Sequence, residues 1–535
     1  MHPTGSPKRH FRAAIRHPLV ERPRSTRGLG AVAVCVLVVT AVGALGAHAS
    51  SGLQRGGNLV IARQQDSNTL DPAKGVTPAE IYVMDQLYGT LFVASPDGKS
   101  IQPSLATGYK QSRDGRTWTI TLRRGLRFSD GSSLTSADVK FSLDRSRKAN
   151  AAFSYLLGVI SRVSTPNSGT VVIRTAHPSA PLLADLSAWV AAILPKNLEG
   201  KSANAFFEHP VGAGPFTFAS WTRGTSLKVV RNGHFWQSGK PYLGGVTWTV
   251  VPDANTRVTQ LRGGQADIAE DIPVSQIKSV NALQGLAASS FPAAWNYFLI
   301  FSEAVKPFQD VHVRRAIAYA IDRKSLVNAT LFGAGAPACS IIPKSIAFYD
   351  LHTPCLTYNV AKARAELARS SAPRGFKSEL LVDNLPTNLA GAQIIQSQLK
   401  QIGIDLSLKV VDSGQLYTTY YGKGNYKAGL ASWAYDIPDP DEQISFMFDP
   451  KGGGSSYYTG YNNPTVTKLV HEAAATLSHS RRQALYNQIQ AISAREVPHV
   501  PLYEVANAAA WKRTVHGFFL NPMGKRHLED VWLSK

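Results

Sequence analysis

NLAGAQIIQSQLKQIGIDLSLKV, residues 388–410, changes its hydrophobic period at one glycine. Ile395, Leu399 and Ile402 recur at three- and four-residue spacing, which is one stripe of a helix. Gly403 ends that helix, and Ile404, Leu406, Leu408 and Val410 then alternate with polar residues as a strand. Helix, glycine, strand is one half of a parallel α/β unit. The same alternation runs outward in both directions. DVHVRRAIAYAIDR at 310–323 places Val313, Ile317 and Ile321 on one stripe behind an Asp310 N-cap. NLVIAR at 58–63 reads as an opening strand, and Thr77-Pro78-Ala79-Glu80 is a capping box that starts a helix running to about Phe92. TWTITLRRGLRF at 117–128 alternates as a half-buried strand, and Thr135 to Asp138 caps the next helix. The chain is therefore α/β or α+β, without internal repeats.

The 535 residues predict two to four domains, enough to bury a core without metal or disulfide staples. A hydrophobic fraction of 44% with 17% charged residues excludes a disordered, collagenous or coiled-coil chain. The balance of 57 bases against 36 acids raises nucleic acid or an anionic membrane as partner. Seven of those bases, Lys8 to Arg27, precede the apolar run LGAVAVCVLVVTAVGALGA at 29–47, the pattern of an export signal. Ala47-His48-Ala49 offers small residues for cleavage after Ala49; retention as an N-terminal anchor is the alternative. Cys35 lies inside the run after Val34, which argues against a lipid anchor. Without the leader, 50 bases face 35 acids, but they are dispersed and lack the interleaved aromatics of a nucleic-acid groove. A solvated basic surface, with no nucleic-acid partner, is the reading.

In an oxidising compartment Cys339 and Cys355 pair as a disulfide that closes a short loop, worth about 3 kcal/mol in the chain-entropy model; two buried free thiols are the alternative.

Fragments of catalytic motifs fail on spacing or company. His471-Glu472 lacks a second histidine one turn later, so no zinc-protease face forms. Ser275-Gln276-Ile277-Lys278 matches S-x-x-K without the S-D-N or K-T-G of penicilloyl serine transferases; a secreted serine hydrolase using Ser275 and Lys278 is the distant alternative. GAGAP at 333–337 does not follow a strand in nucleotide-binding spacing. No metal site, cofactor site or catalytic set is legible. SWAYDIPDPDEQISFMF at 432–448 stands out instead. Pro438 and Pro440 make its centre a rigid loop, in which Asp439 and Asp441 read as turn and cap residues. Asp436 follows Trp433 and Tyr435, and a carboxylate behind aromatic walls receives a cationic group, because a desolvated charge counts for more.

Six ordered segments carry a family resemblance: GGNLVIARQQDSNTLDPA at 56–73, DGRTWTITLRRGLRFSDGSSLTSADVKFSLDR at 114–145, PVGAGPFTFASW at 210–221, PFQDVHVRRAIAYAIDR at 307–323, SWAYDIPDPDE at 432–442 and LNPMGKRHLEDVW at 520–532. In these the chain resembles the extracytoplasmic solute-binding proteins of peptide and nickel ABC importers, solute-binding protein family 5. The resemblance implies a two-lobed periplasmic-binding-protein fold, class II-like, with a hinge and an interlobe ligand cleft. Lobe one would span 53–291 with a C-terminal return at 507–535, and lobe two 292–506. It implies a monomeric, non-enzymatic, periplasmic or membrane-held receptor that delivers oligopeptides to permease and ATPase subunits. In peptide-binding members the aspartate of W-x-x-D pairs with the ligand's α-ammonium, which falls here on Trp433 and Asp436. Dipeptide receptors carry an arginine where this chain has Asn384, so longer peptides fit better than dipeptides. The same fold also carries nickel chelates, haem, opines and oligosaccharides, so the fold alone does not settle the solute.

Overall fold

The computed structural model describes residues 54–149, 151–451 and 459–535; the proposed leader at 1–49 lies outside them. Two strands much longer than their neighbours, Leu286–Phe301 and His499–Lys512, run antiparallel through the middle of an eleven-stranded sheet. On one side the sheet continues through Ile268–Glu270, Asn58–Arg63, Gly245–Val250, Ser226–Arg231 and Phe216–Thr222. On the other it continues through Ala428–Ala434, Phe376–Asp383 and Ile404–Val411. Ala336–Pro337 adds a short edge strand against His499–Lys512.

The long pair belongs to both halves because its ladder breaks in the middle. Pro292 lies opposite Ala506, and pairing resumes only at Asn296 opposite Glu504. A proline has no N–H to give the ladder, so the extra residues Ala293 to Trp295 bulge out between the two paired stretches. Leu286–Pro292 thus pairs with Ala506–Lys512 beside the N-terminal strands, and Asn296–Ile300 with His499–Glu504 beside the C-terminal ones. The cores divide in the same way. Leu59, Ile61, Trp118, Ile173, Trp189 and Trp248 belong to one cluster, which also serves the four-stranded antiparallel sheet of Ala106–Gln111, Thr117–Leu122, Thr170–Thr175 and Ile160–Asn167. Leu299, Ile317, Leu380, Ile395 and Leu406 belong to a second cluster, and Phe298, Leu381, Ile444 and Tyr486 to a third.

Local chemistry sets the elements. Gly403 adopts φ +89° between the helix Pro386–Lys400 and the strand Ile404–Val411, which runs parallel to Phe376–Asp383. Buried alternation holds through Ile404 and Leu406 and then fades, with Val410 48% exposed at the sheet edge. The capping boxes of Thr77 and Thr135 both form, opening the helices Pro78–Leu87 and Ser136–Lys148. The first of these stops at Leu87 rather than near Phe92, and Phe92–Ala94 is a strand. The strand expected over 117–128 is likewise shorter, Thr117–Leu122, because the chain turns at Gly125, φ +71°. Asp310 accepts from the amide of His312 and caps Val311–Ala320. Cys339 and Cys355 are joined by a disulfide, with Cα atoms 4.9 Å apart.

Candidate functional site

A cavity of about 330 Å³ opens at the bulge of the long strands. Arg63, Tyr82, Trp248 and Asp271 border it from the N-terminal half, and Trp295, Ala434 and Tyr435 from the other. Short-range contacts tie the two sides together around it. The amide of Ala294 donates to the carbonyl of Pro522 at 2.7 Å, and the amide of Tyr435 to that of Ala294 at 2.8 Å. Farther along, Ala180 N–H donates to Ala474 O at 2.7 Å, and the Tyr155 hydroxyl to Glu442 Oε1 at 3.3 Å.

The strand Ala428–Ala434 delivers the acidic and aromatic segment to this junction, with Trp433 opposite Asn296. Trp433 is half-buried, its ring 5.0 Å from that of Phe446, which in turn lies 5.3 Å from Tyr155. Tyr435 borders the cavity while its hydroxyl donates to Gln443 Oε1 at 2.5 Å. Asp436 comes next, half-buried, with its backbone amide and that of Ile437 donating to Glu442 Oε2 at 3.1 and 3.2 Å. The carboxyl groups of Asp436 and Glu442 lie close enough for each to influence the ionisation of the other. Burial pushes Asp436 up to about 7, against the hydrogen bond from Glu442 and the more distant charge of Lys525. Burial, and then the charge of Asp436, hold Glu442 well above the usual carboxylate range. Neither acid makes an ion pair among the described residues.

Asp439 and Asp441 fall where the chain turns into the helix Asp441–Phe448. Asp439 Oδ1 accepts from the amide of Asp441 at 3.0 Å, and the same carboxylate is clasped by Arg482. Asn384 is exposed on the turn between Phe376–Asp383 and Pro386–Lys400 and does not border the cavity. Ser275 and Lys278 are both exposed on a short helical stretch, also away from it. His471 pairs with Asp449 at 2.8 Å. Among the described residues no three histidine, cysteine or acidic side chains are grouped to hold a metal, and no helix is long and apolar enough to cross a membrane.

Trp295 and Glu442 escaped the sequence reading. Pro292 inside an otherwise strand-like run was the available sign of a bulge that would bring Trp295 to the cavity. Glu442 lies in the first turn of the helix Asp441–Phe448, where an acid has a local reason to stand, so nothing in the sequence marked it for the site.

The family model described as bacterial extracellular solute-binding proteins, family 5 middle, matches residues 100–455. A glutathione-binding protein, GsiB, of Salmonella choleraesuis (strain SC-B67) is 31% identical over 475 residues, covering 87% of this chain and 92% of that one. Among solved structures, the periplasmic binding protein DppA from Helicobacter pylori, in complex with the peptide STSA, superposes with a TM-score of 0.76 at 25% identity, over 90% of this chain and 99% of that one. AgaA from A. tumefaciens R10, in complex with agropinic acid, superposes with a TM-score of 0.75 at 28% identity, over 90% and 99% of the two chains.

Proposed function

Because the chain belongs to the bacterial extracellular solute-binding proteins of family 5, we propose that it captures short peptides outside the cytoplasmic membrane and hands them to the permease and ATPase subunits of an ABC importer. It makes and breaks no bonds in doing so. The leader at 1–49 serves export. The lobes are 53–291 with 507–535, and 292–506, and the hinge is the bulge at Pro292 to Trp295. Support for these limits comes from the long strands, whose register breaks beside Pro292 and Ala506.

The observation that carries the reading is the Asp436–Glu442 pair. Two carboxyl groups sit together at the junction of the halves, Glu442 Oε2 accepting from the amide of Asp436 at 3.1 Å, and among the described residues neither makes an ion pair. Such a pair costs desolvation that a ligand ammonium would offset by pairing with the carboxylate. An extended peptide would fix its amino end at Asp436 beside Trp433, with Tyr435 and Trp295 bordering the body of the cleft. Closure around it presents a new surface to the permease, driven by tighter binding in the closed state. The relatives' names fit this class: GsiB binds glutathione, and DppA was solved with a four-residue peptide.

A second reading has one specific observation behind it, the 28% identity to AgaA with its agropinic acid. Titration calorimetry separates the two. Asp436→Ala should lose about 3–5 kcal/mol of affinity for a free-amine peptide, the cost of leaving a buried charge unpaired. N-acetylation of the peptide should cause a loss of similar size. Unchanged affinity in either experiment, or tight binding of agropinic acid alone, would remove the peptide reading.

A further inference from the structure

Three charged side chains border the cavity at the strand bulge, and all come from the N-terminal half: Arg63, Glu270 and Asp271. Two of them are neutralised where they stand. Arg63 Nη2 lies 2.8 Å from Asp66 Oδ1, and Arg526 Nε lies 2.5 Å from Glu270 Oε1, all four side chains being largely buried. Asp271 differs from both. It is exposed where it borders the cavity, and among the described residues its carboxylate has neither a hydrogen bond nor an ion pair.

The surrounding contacts keep that carboxylate free. Asp271 follows the strand Ile268–Glu270 with φ +50°, in the left-handed region that few residues other than glycine, asparagine and aspartate adopt. Arg257, 2% exposed on the helix Ala254–Arg262, fixes this turn through its backbone. Its Nε donates to Glu270 O and its Nη2 to Asp271 O, both at 2.7 Å, while Nη1 donates to Val251 O and Pro252 O at 2.7 and 2.9 Å. The guanidinium is thereby held on backbone carbonyls and donates nothing to the Asp271 side chain. Arg526, the other cation whose charge reaches Asp271, is held by Glu270 and lies over the Tyr82 ring at 3.5 Å. The positive charges on this side of the cavity are committed, and one negative charge is left facing the solute.

We propose that Asp271 is a second anchor of the cleft, pairing with the cationic side chain of a basic residue, so that the receptor favours peptides containing lysine or arginine over apolar ones. The proposal rests on the peptide reading and names the class of peptide. Asp271 enters from the N-terminal half, whereas Asp436 belongs to the C-terminal one, so a peptide with an ammonium at its end and a second positive charge along its length meets a carboxylate on each. Trp295 and Tyr435 border the same cavity from the other half and keep water from the pair once it forms. An apolar side chain in that place would strip water from Asp271 and return nothing, while a basic one supplies a charge-assisted hydrogen bond.

Titration calorimetry with Ala-Ala-Ala, and with the tripeptides in which lysine replaces the first, second or third alanine, tests this. At least one lysine peptide should bind the wild type about ten- to a hundredfold more tightly than Ala-Ala-Ala, the range of one charged hydrogen bond. Asp271→Asn keeps the shape of the side chain and tolerates a positive φ, so it should bind Ala-Ala-Ala as the wild type does and lose the preference for lysine. Asp271→Gly, which suits the same backbone angle, should read the same way and serves if the first variant does not fold. Binding of Ala-Ala-Ala with no advantage for any lysine peptide, or an advantage that survives in both variants, would overturn the second anchor and leave the peptide reading standing. If none of the four peptides binds, the peptide reading falls and the second anchor with it. Asp436→Ala gives the contrast, since it should weaken all four peptides and not the lysine peptides alone.

Discussion

Arg482 and Asp439 form a two-pronged ion pair, Nη1 to Oδ2 at 2.7 Å and Nη2 to Oδ1 at 2.9 Å, with side chains only 6% and 8% exposed. Asp439 Oδ1 also accepts from the amide of Asp441, so one carboxylate fixes both the ion pair and the start of the helix Asp441–Phe448. The loop that presents Asp436 is thereby bolted to the helix His479–Glu496. Asp439→Ala should cost about 3–5 kcal/mol in urea unfolding, since it strands a buried guanidinium. The double variant Asp439→Leu/Arg482→Met should recover part of that loss, because it removes both charges together.

Elements whose cause is local were legible in the sequence. Thr77 and Thr135 made their capping boxes, Asp310 its N-cap and Gly403 its left-handed turn. Val313, Ile317 and Ile321 form the expected buried stripe, each at most 1% exposed. The contacts of the site are of another kind. The Tyr155 hydroxyl meets Glu442, 287 residues further along the chain, and Trp295 reaches the cavity through a bulge between two strands that meet only in the fold. No periodicity records such juxtapositions. Tyr435 shows the limit from the other side: the aromatic residue is at the cavity, but its hydroxyl is spent on Gln443, a pairing that depends on the helix after the loop.

Gly212 and Gly214 give a physical reason for PVGAGPF, a motif legible only as resemblance. A Cβ on Gly212 would lie 2.1 Å from the carbonyl oxygen of Leu87, and one on Gly214 would lie 2.5 Å from that of Gln86. Both obstacles are backbone at the end of the helix Pro78–Leu87, which the amide of Gly214 caps by donating to Leu87 O at 3.0 Å. No rotamer change relieves such a clash. Gly212→Ala should therefore cost at least about 3 kcal/mol or abolish folding, well beyond the ~1 kcal/mol typical of point substitutions. Gly224→Ala, at a turn with open space around it, should cost clearly less despite its φ of +72°. Thermal melting of the two variants side by side would show the difference.

His499 is 1% exposed, with its ring edge-on to Phe298 and Phe448 at 5.8 and 5.5 Å. Burial, helped by the charge of Arg314, pushes its pKa down to about 3. The folded state therefore holds it neutral, while an unfolded chain protonates it below about 6.5. The stability this contributes is present above 6.5 and is lost as pH falls, by about 2 kcal/mol between pH 7 and pH 5. Other groups titrate in the same range, so the readout is a difference. The stability of His499→Leu relative to wild type, from urea titrations, should move by that amount in the variant's favour between those two pH values.

Solute binding should itself depend on pH. Asp436 must be ionised to pair with an ammonium, and burial has raised it to about 7, so affinity for a free-amine peptide should climb up to tenfold per unit as pH approaches neutrality and level off above it. The sign follows from which form binds: below that value the carboxyl carries a proton that the ammonium must displace, and above it the carboxylate is already bare. Calorimetric titration from pH 5.5 to 9 should give this rise and plateau in the wild type and no rise in Asp436→Ala. If Asp436→Ala retains the acid rise, the charge that meets the solute lies elsewhere in the cleft.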